Sequence, residues 1–336
     1  MLTPVPFRHT LVCAVAAAAA LVALHATTAT AATAADTDAA YPTRPIKLIV
    51  AFAPGGGSDF IARLIAVKLG EKLKQPVIVE NRPGAGGNLG AALALKAPAD
   101  GYTLLLAAAS YTVNPALYKL SFDPIKDITP IGQLARGPFL IAVNPQVPVQ
   151  NLKELVALAK KEPGKLSYAS SGTGSITQLA TEYFLDSTGI DILHVPYKGT
   201  SPALTDTIAG QTQVVFGTVA STLPFAKSGQ LKVLAVTIPT RLSALPDVPT
   251  AMEAGFPGYE VTNWHGVIGP KGIPPAIVAK LNTAINESIN GPGMEAGLAA
   301  DGLKPAAGTP EAFGALLASE TARWGRLVQK RGIKAE

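Results

Sequence analysis

Three times along the chain an apolar run of strand length empties into a glycine-rich loop, and the loop opens a helical pattern. "IKLIVAF" leads into "PGGGSD" at 54–59, "VIVE" into "RPGAGGNLG" at 82–90, and "LSYAS" into "SSGTGS" at 170–175. Short apolar runs alternating with longer segments of period 3.6 specify βαβ units, whose parallel sheet needs helices on both faces. In the first helix, expected over 59–74, Ile61, Ile65 and Leu69 fall at i, i+4 and i+8 with Phe60 and Leu64 alongside. They form a stripe for the sheet, with Ser58 or Asp59 as the expected N-cap.

A second block of the same kind begins after "FLIAVNP". Asn151 and Glu154 are spaced as a capping box before "LKELVALAKK", which Pro163 and Gly164 stop. A helix over about 176–186, the runs "ILHVPY", "QVVFG" and "LKVLAVT", and a helix in "PALTDTIAG" complete it. After "YEVTNWHGVIGP" the chain is helical to its end, with too few strands for a third domain, so these helices return to the first sheet. The expected fold class is therefore α/β in two lobes, each a mostly parallel sheet flanked by helices. Lobe 1 comprises 41–140 and 266–336, lobe 2 comprises 141–265, and crossing segments lie near 139–144 and 260–268.

Arg8 and His9 precede "TLVCAVAAAAALVALHA", too short and alanine-rich to anchor in a membrane, and small residues in A-x-A spacing follow. A secretory signal peptide over 1–31 is expected, with cleavage after Ala31 or Ala34. The single cysteine, Cys13, lies inside it behind "TLV", a poor lipoprotein site, so the mature chain has no thiol and no disulfide. The 28 Lys and Arg against 23 Asp and Glu give a formal charge of +5, scattered rather than striped, and aromatic residues are only 6%. Neither a phosphate-tracking stripe nor a base-stacking platform is present, so nucleic acid is not an expected partner.

The glycine loops point to an anion. Amides at the start of a helix have no intrahelical acceptor, the helix dipole favours negative charge there, and glycine allows close backbone approach. A nucleotide is not the expected anion. "GGGSDFIA" lacks the lysine of a phosphate-binding P-loop, and G-x-G-x-x-G fails at Phe60, Leu89 and Thr177. No cofactor is expected. No metal is expected either, because only His194 and His265 remain outside the leader and no Cys joins them. Neither Ser58 nor Ser171 sits in G-x-S-x-G, yet Ser171 with His194 and Asp206 leaves open an exported hydrolase of small esters or amides. Both histidines lie in or beside apolar strand patterns and read as structural, Trp264 as a hinge residue, and "RPGAGGNLG" as a turn packed against the sheet. The loops at 54–59 and 170–175 begin different lobes and are expected to face each other across a cleft. Four hydrogen bonds to a carboxylate at ~1.5–3 kcal/mol each, less ordering costs, reach the ~8 kcal/mol of a micromolar complex.

The sequence resembles the Bug-type extracytoplasmic solute receptors of tripartite tricarboxylate transporters. The similarity covers nearly the whole mature chain, through "YPTRPIKLIVAFAPGGGSD", "VENRPGAGGNLGA", "APADGYTLLLAAAS", "NPALYKLSFDPIKDITPIGQLA", "YASSGTGSITQLA", "HVPYKGTSPALTDTIAGQ", "RLSALPDVPTAMEAGFPGYE" and "GPKGIPPAIVAKLNTAI". The resemblance implies a periplasmic-binding-protein (Venus flytrap) architecture. It further implies a non-catalytic receptor in the periplasm of a Gram-negative envelope, capturing a small organic acid and passing it to large and small membrane subunits. A sensory receptor is the alternative, and a single chain is expected to suffice for closure. Carried over by position, the ligand-binding residues are Pro54, Gly55, Gly56, Gly57, Ser58 and Asp59 in the first loop and Ser110 after "TLLLAAA". In the second lobe they are Ser170, Ser171, Gly172, Thr173, Gly174, Ser175, Tyr197, Gly217 and Thr218. Two positions depart from the family pattern: Gln178 stands where relatives commonly carry His, and Gly217 and Thr218 stand where many have an acid. The missing acid favours a ligand without an amine.

Overall fold

The computed structural model describes residues 40–299 and 301–335; the expected signal peptide lies outside them. Strand β1 (Ile46–Val50) runs through the first glycine loop into α1 (Gly57–Leu73), and β2 (Val77–Asn81) through a 3-10 turn at Ala85–Gly87 into α2 (Asn88–Leu95). β3 (Thr103–Ala108) ends in a 3-10 turn, Ala109–Thr112, and the short α3 (Asn114–Leu117). After the long strand β4 (Ile128–Val143) come α4 (Leu152–Lys161), β5 (Ser167–Ser170), α5 (Ile176–Thr188), β6 (Leu193–Pro196) and α6 (Thr200–Ile208). β7 (Val214–Thr218), α7 (Val219–Lys227) and β8 (Lys232–Val236) complete that block. The chain closes with β9 (Thr262–Pro270), α8 (Pro275–Ile289), α9 (Met294–Ala299), β10 (Lys304–Pro305) and α10 (Pro310–Arg331).

Each lobe holds the parallel strands that the alternation requires: β2-β1-β3 in the first, β7-β5-β6 in the second. Antiparallel strands link them. β9 lies between β3 and β4, and the far half of β4 pairs with β7 and β8. β4 changes sheets within one step, since Pro138 is paired with Thr262 whereas Phe139 is paired with Thr218. The first crossing therefore falls at the start of the expected 139–144. The second is narrower than 260–268, because the Val261 amide still donates to Thr237 O in the second lobe while Thr262 onward belongs to the first sheet. Thr237 pins both crossings, its hydroxyl donating to Val261 O at 2.6 Å and accepting from the Phe139 amide at 2.8 Å.

The last helix departs from the expected lobe 1 span of 266–336. α10 has 22 residues, about 33 Å at 1.5 Å per residue, long enough to run from one core to the other. Its Phe313 and Leu317 pack with Ile49, Leu105 and Trp264 in the first lobe, while Trp324 and Leu327 pack with Tyr168, Phe184 and Phe216 in the second. Arg331 Nε then donates to Glu182 Oε2 at 2.7 Å.

α1 buries Ile61, Ile65 and Leu69 as the period requires, but Phe60 stays 44% exposed and Leu64 only half-buried, so the stripe is narrower than its sequence pattern. The expected Ser58 or Asp59 cap is also replaced: Gly56 is the N-cap and makes no side-chain bond, because Asp59 already lies inside the first turn. Asn151 caps α4 as its spacing requires, the Glu154 amide donating to Asn151 Oδ1 at 3.0 Å, while Glu154 Oε2 accepts from the Gln150 amide one residue before the cap rather than from Asn151's own amide. Among the described residues no helix is long and apolar enough to cross a membrane.

Candidate functional site

The parallel strands of both lobes direct their carboxyl ends toward one place, as open α/β sheets do. A cavity of about 600 Å³ lies there, lined from the first lobe by Gly56, Gly57, Ser58 and Ser110 and from the second by Ser171 through Ser175 and by Thr218. The two loops thus face each other. The second loop also packs closely on the first lobe: a Cβ on Gly174, whose φ is +77°, would stand 2.4 Å from Leu117 Cδ1 of α3. Only glycine allows that approach.

The remaining sequence-derived positions sit beside the cavity rather than in its lining, each for a visible reason. Pro54 and Gly55 are exposed on the outer limb of the first loop. Asp59 is buried and turned back, accepting from the Gly55 amide at 3.0 Å, Arg63 Nε at 3.0 Å and Asn81 Nδ2 at 2.9 Å. Those donors, Arg63 first, hold its carboxyl down at about 2. Its work is to fold the loop. Ser170 is buried against His194, Tyr197 donates its hydroxyl to Asp206 Oδ2 at 2.8 Å, and a Cβ on Gly217 would collide with Thr222. Burial, before the Asp206 contact, pushes the Tyr197 hydroxyl up to about 12.

The second loop is closed on itself. Thr177 Oγ1 takes the Ser171 amide at 3.0 Å and lies 2.9 Å from Ser171 Oγ and 3.0 Å from Ser175 Oγ. Gln178 Oε1 takes the Gly174 amide at 2.7 Å, and Ser175 caps α5 through the Gln178 amide. Gln178 Nε2 also meets His194 Nδ1 at 3.1 Å; an amide nitrogen can only donate, so His194 Nε2 carries the proton toward Ser170 Oγ, 2.7 Å away. Gln178 is thereby part of the loop's frame. His194 also stacks on Tyr168 at 4.8 Å. The postulated Ser171–His194–Asp206 triad does not assemble, since each member is bonded to a different partner.

The first loop is open by comparison. The amides of Gly57 and Ser58 sit in the first turn of α1, where no intrahelical acceptor exists and no side chain caps them. Ser58 Oγ lies 3.1 Å from Nε2 of His265, a buried cavity-lining residue on β9 held opposite Ala108 of β3. Burial lowers the imidazole to about 4, so it is neutral near pH 7. His265 Nδ1 has no partner among the described residues. Leaving a buried lone pair unmet costs less than orphaning an N–H, so Nε2 carries the proton to Ser58 and frees the serine hydrogen for the cavity.

Several lining residues escaped the sequence reading: Gly86, Asn114, Gly199, Thr200, Asn263, His265 and Asp301. Gly199 and Thr200 repeat the Gly-hydroxyl grammar at the start of α6 and were findable on that ground. His265 was read as structural, and no local signal marks Asp301. "RPGAGGNLG" packs as expected, a Cβ on Gly90 falling 2.7 Å from Arg82 O, though Gly86 reaches the cavity. No cluster of His, Cys, Asp and Glu suited to a metal occurs among the described residues.

Comparison with known proteins gives a consistent picture. The model of the tripartite tricarboxylate transporter family receptor matches residues 61–333. Protein BugT of Bordetella pertussis is 37% identical over 297 residues, covering 88% of this chain and 91% of BugT. The solved structure of R. palustris Rpa4515 with adipate is 35% identical with a TM-score of 0.76, covering 88% of this chain and 100% of that one. The periplasmic binding protein BugD is 34% identical with a TM-score of 0.73, at 88% and 100% coverage.

Proposed function

The chain belongs to the tripartite tricarboxylate transporter receptor family, and we propose on that premise that it captures a small organic carboxylate in the interlobe cleft and delivers it to the transporter's membrane subunits. The observation that carries this is the pairing of an uncapped helix start, at Gly57 and Ser58, with a hydroxyl-lined loop of the opposite lobe across one cavity. A carboxylate there accepts amides from one side and hydroxyls from the other. Contacts to both lobes favour the closed arrangement over the open one, which is the differential affinity that closure requires. The solved relative holding adipate supports an acid as ligand. The leader-like start of the chain and the family support a periplasmic location, and the scattered partners of Ser171, His194 and Asp206 favour binding without turnover.

A thermal-shift screen of ligand-stripped protein against mono-, di- and tricarboxylates, aromatic acids and amino acids tests this. A true ligand at 100 times Kd adds ~2.7 kcal/mol and raises the midpoint by a few degrees with no loss of the acid. Consumption of the acid, or of a small ester, would overturn it in favour of the hydrolase.

A further inference from the structure

Asp301 is, among the described residues lining the cavity, the one side chain with a formal charge, and that charge is negative. Among the described residues no Lys or Arg lines the space, and burial keeps His265 neutral. Asp301 follows α9 on a tightly held turn. Its amide donates to Leu298 O at 3.0 Å, and the next residue, Gly302, has φ +69° and packs so closely on Val219 that a Cβ would lie 2.1 Å away. The backbone of the turn is thus held in place, and Asp301 Oδ2 lies 3.0 Å from where a Cβ on Gly57 would stand. Glycine at 57 makes room for it. No salt bridge to Asp301 exists among the described residues, and burial raises its acid above the usual carboxylate range.

A ligand carboxylate on the amides of Gly57 and Ser58 lies beside this second carboxylate, an unfavourable pair unless a positive charge stands between them. Asp301 adjoins the carboxylate-holding loop rather than the far end of the cavity, so that charge must sit on the carbon next to the ligand's own carboxylate. We infer that Asp301 selects 2-amino acids, receiving the ammonium of a ligand whose carboxylate rests on the start of α1. This builds on the receptor function proposed above, and it reverses the sequence expectation of an amine-free acid: the anion missing at 217 and 218 is supplied by a turn of the other lobe.

Calorimetric titration of the ligand-stripped protein with matched pairs differing by one ammonium tests it: L-aspartate and succinate, L-glutamate and glutarate, L-alanine and propanoate, L-phenylalanine and 3-phenylpropanoate. The wild type should prefer the amino member of the best-fitting pair by at least tenfold. Asp301→Asn should weaken that member by at least thirtyfold and leave the plain acid unchanged or tighter, while Asp301→Glu keeps the preference. Tighter binding of the plain acid by the wild type, or a loss under threefold in a folded Asp301→Asn, overturns the inference and leaves the carboxylate receptor standing. Failure of every pair to bind, while another carboxylate binds, also overturns it; failure of all carboxylates removes the receptor function with it.

Discussion

The loops at 54–59 and 170–175 share a strand–glycine–hydroxyl–helix grammar and do different physical work. The second is tied internally by Thr177 and Gln178, so its hydroxyls are presented in a frame that exists before any ligand arrives. The first keeps uncapped amides at the start of α1 and spends its one carboxylate on its own fold. Each also contains a serine–histidine contact, but His194 is bonded at both ring nitrogens while His265 has one left over. The difference is between a pre-organised wall and a helix start whose amides no side chain caps. Preorganisation lowers the ordering cost of binding, and unmet donors supply the attraction.

The comparison breaks most visibly at glycine. Gly174→Val forces a side chain at φ +77° into Leu117, and should cost roughly 2–6 kcal/mol in denaturant unfolding, from backbone strain and overpacking together. Next in size is the pH response of His265. Its imidazole falls from 6.5 to about 4 on folding, so between those values the unfolded chain holds the extra proton. Stability therefore rises with pH across that window and is lost as pH falls from 6.5 toward 4, by about 3 kcal/mol. A His265→Gln variant should flatten that limb of the unfolding curve.

Gly56→Val contrasts with the first substitution. At φ −84° its new Cβ finds no atom closer than Ala53 O at 3.8 Å, so unfolding should change by under ~1 kcal/mol. Affinity for the ligand should still fall about 100-fold, the loss of one or two charge-assisted bonds. Thr177→Val removes the knot of the second loop and should cost ~1–3 kcal/mol of stability. Its loss of affinity should be smaller than that of Gly56→Val; the reverse order would mean that the frame, not the donors, dominates binding. The smallest effect belongs to Asp59. With its carboxyl lowered from 3.8 to about 2, its contribution is complete above pH 3.8 and lost as pH falls through 2, a limb that Asp59→Asn should remove.

Much of this was legible locally. The helix start at Asn151, the buried period of α1 and the shared grammar of the two glycine loops follow from spacing alone, whereas their facing each other does not. Phe60 shows the limit: its position on the helix is set by sequence, but whether an element covers it is not. Asp59 shows another, since its acid was read as part of the ligand cradle, yet Arg63 and Asn81 turn it inward. Asn81 is distant enough in sequence that no pattern announces the contact.

By itself the sequence determined the α/β class, the order of its units and the glycine loops that open its helices, because periodicity and helix termini are properties of neighbouring residues. Only the tertiary structure decided which donors stay unmet, where β4 changes sheets, that α10 spans both cores, and that Asp301 stands beside Gly57. Those are meetings of residues far apart in the chain, and local chemistry carries no record of them.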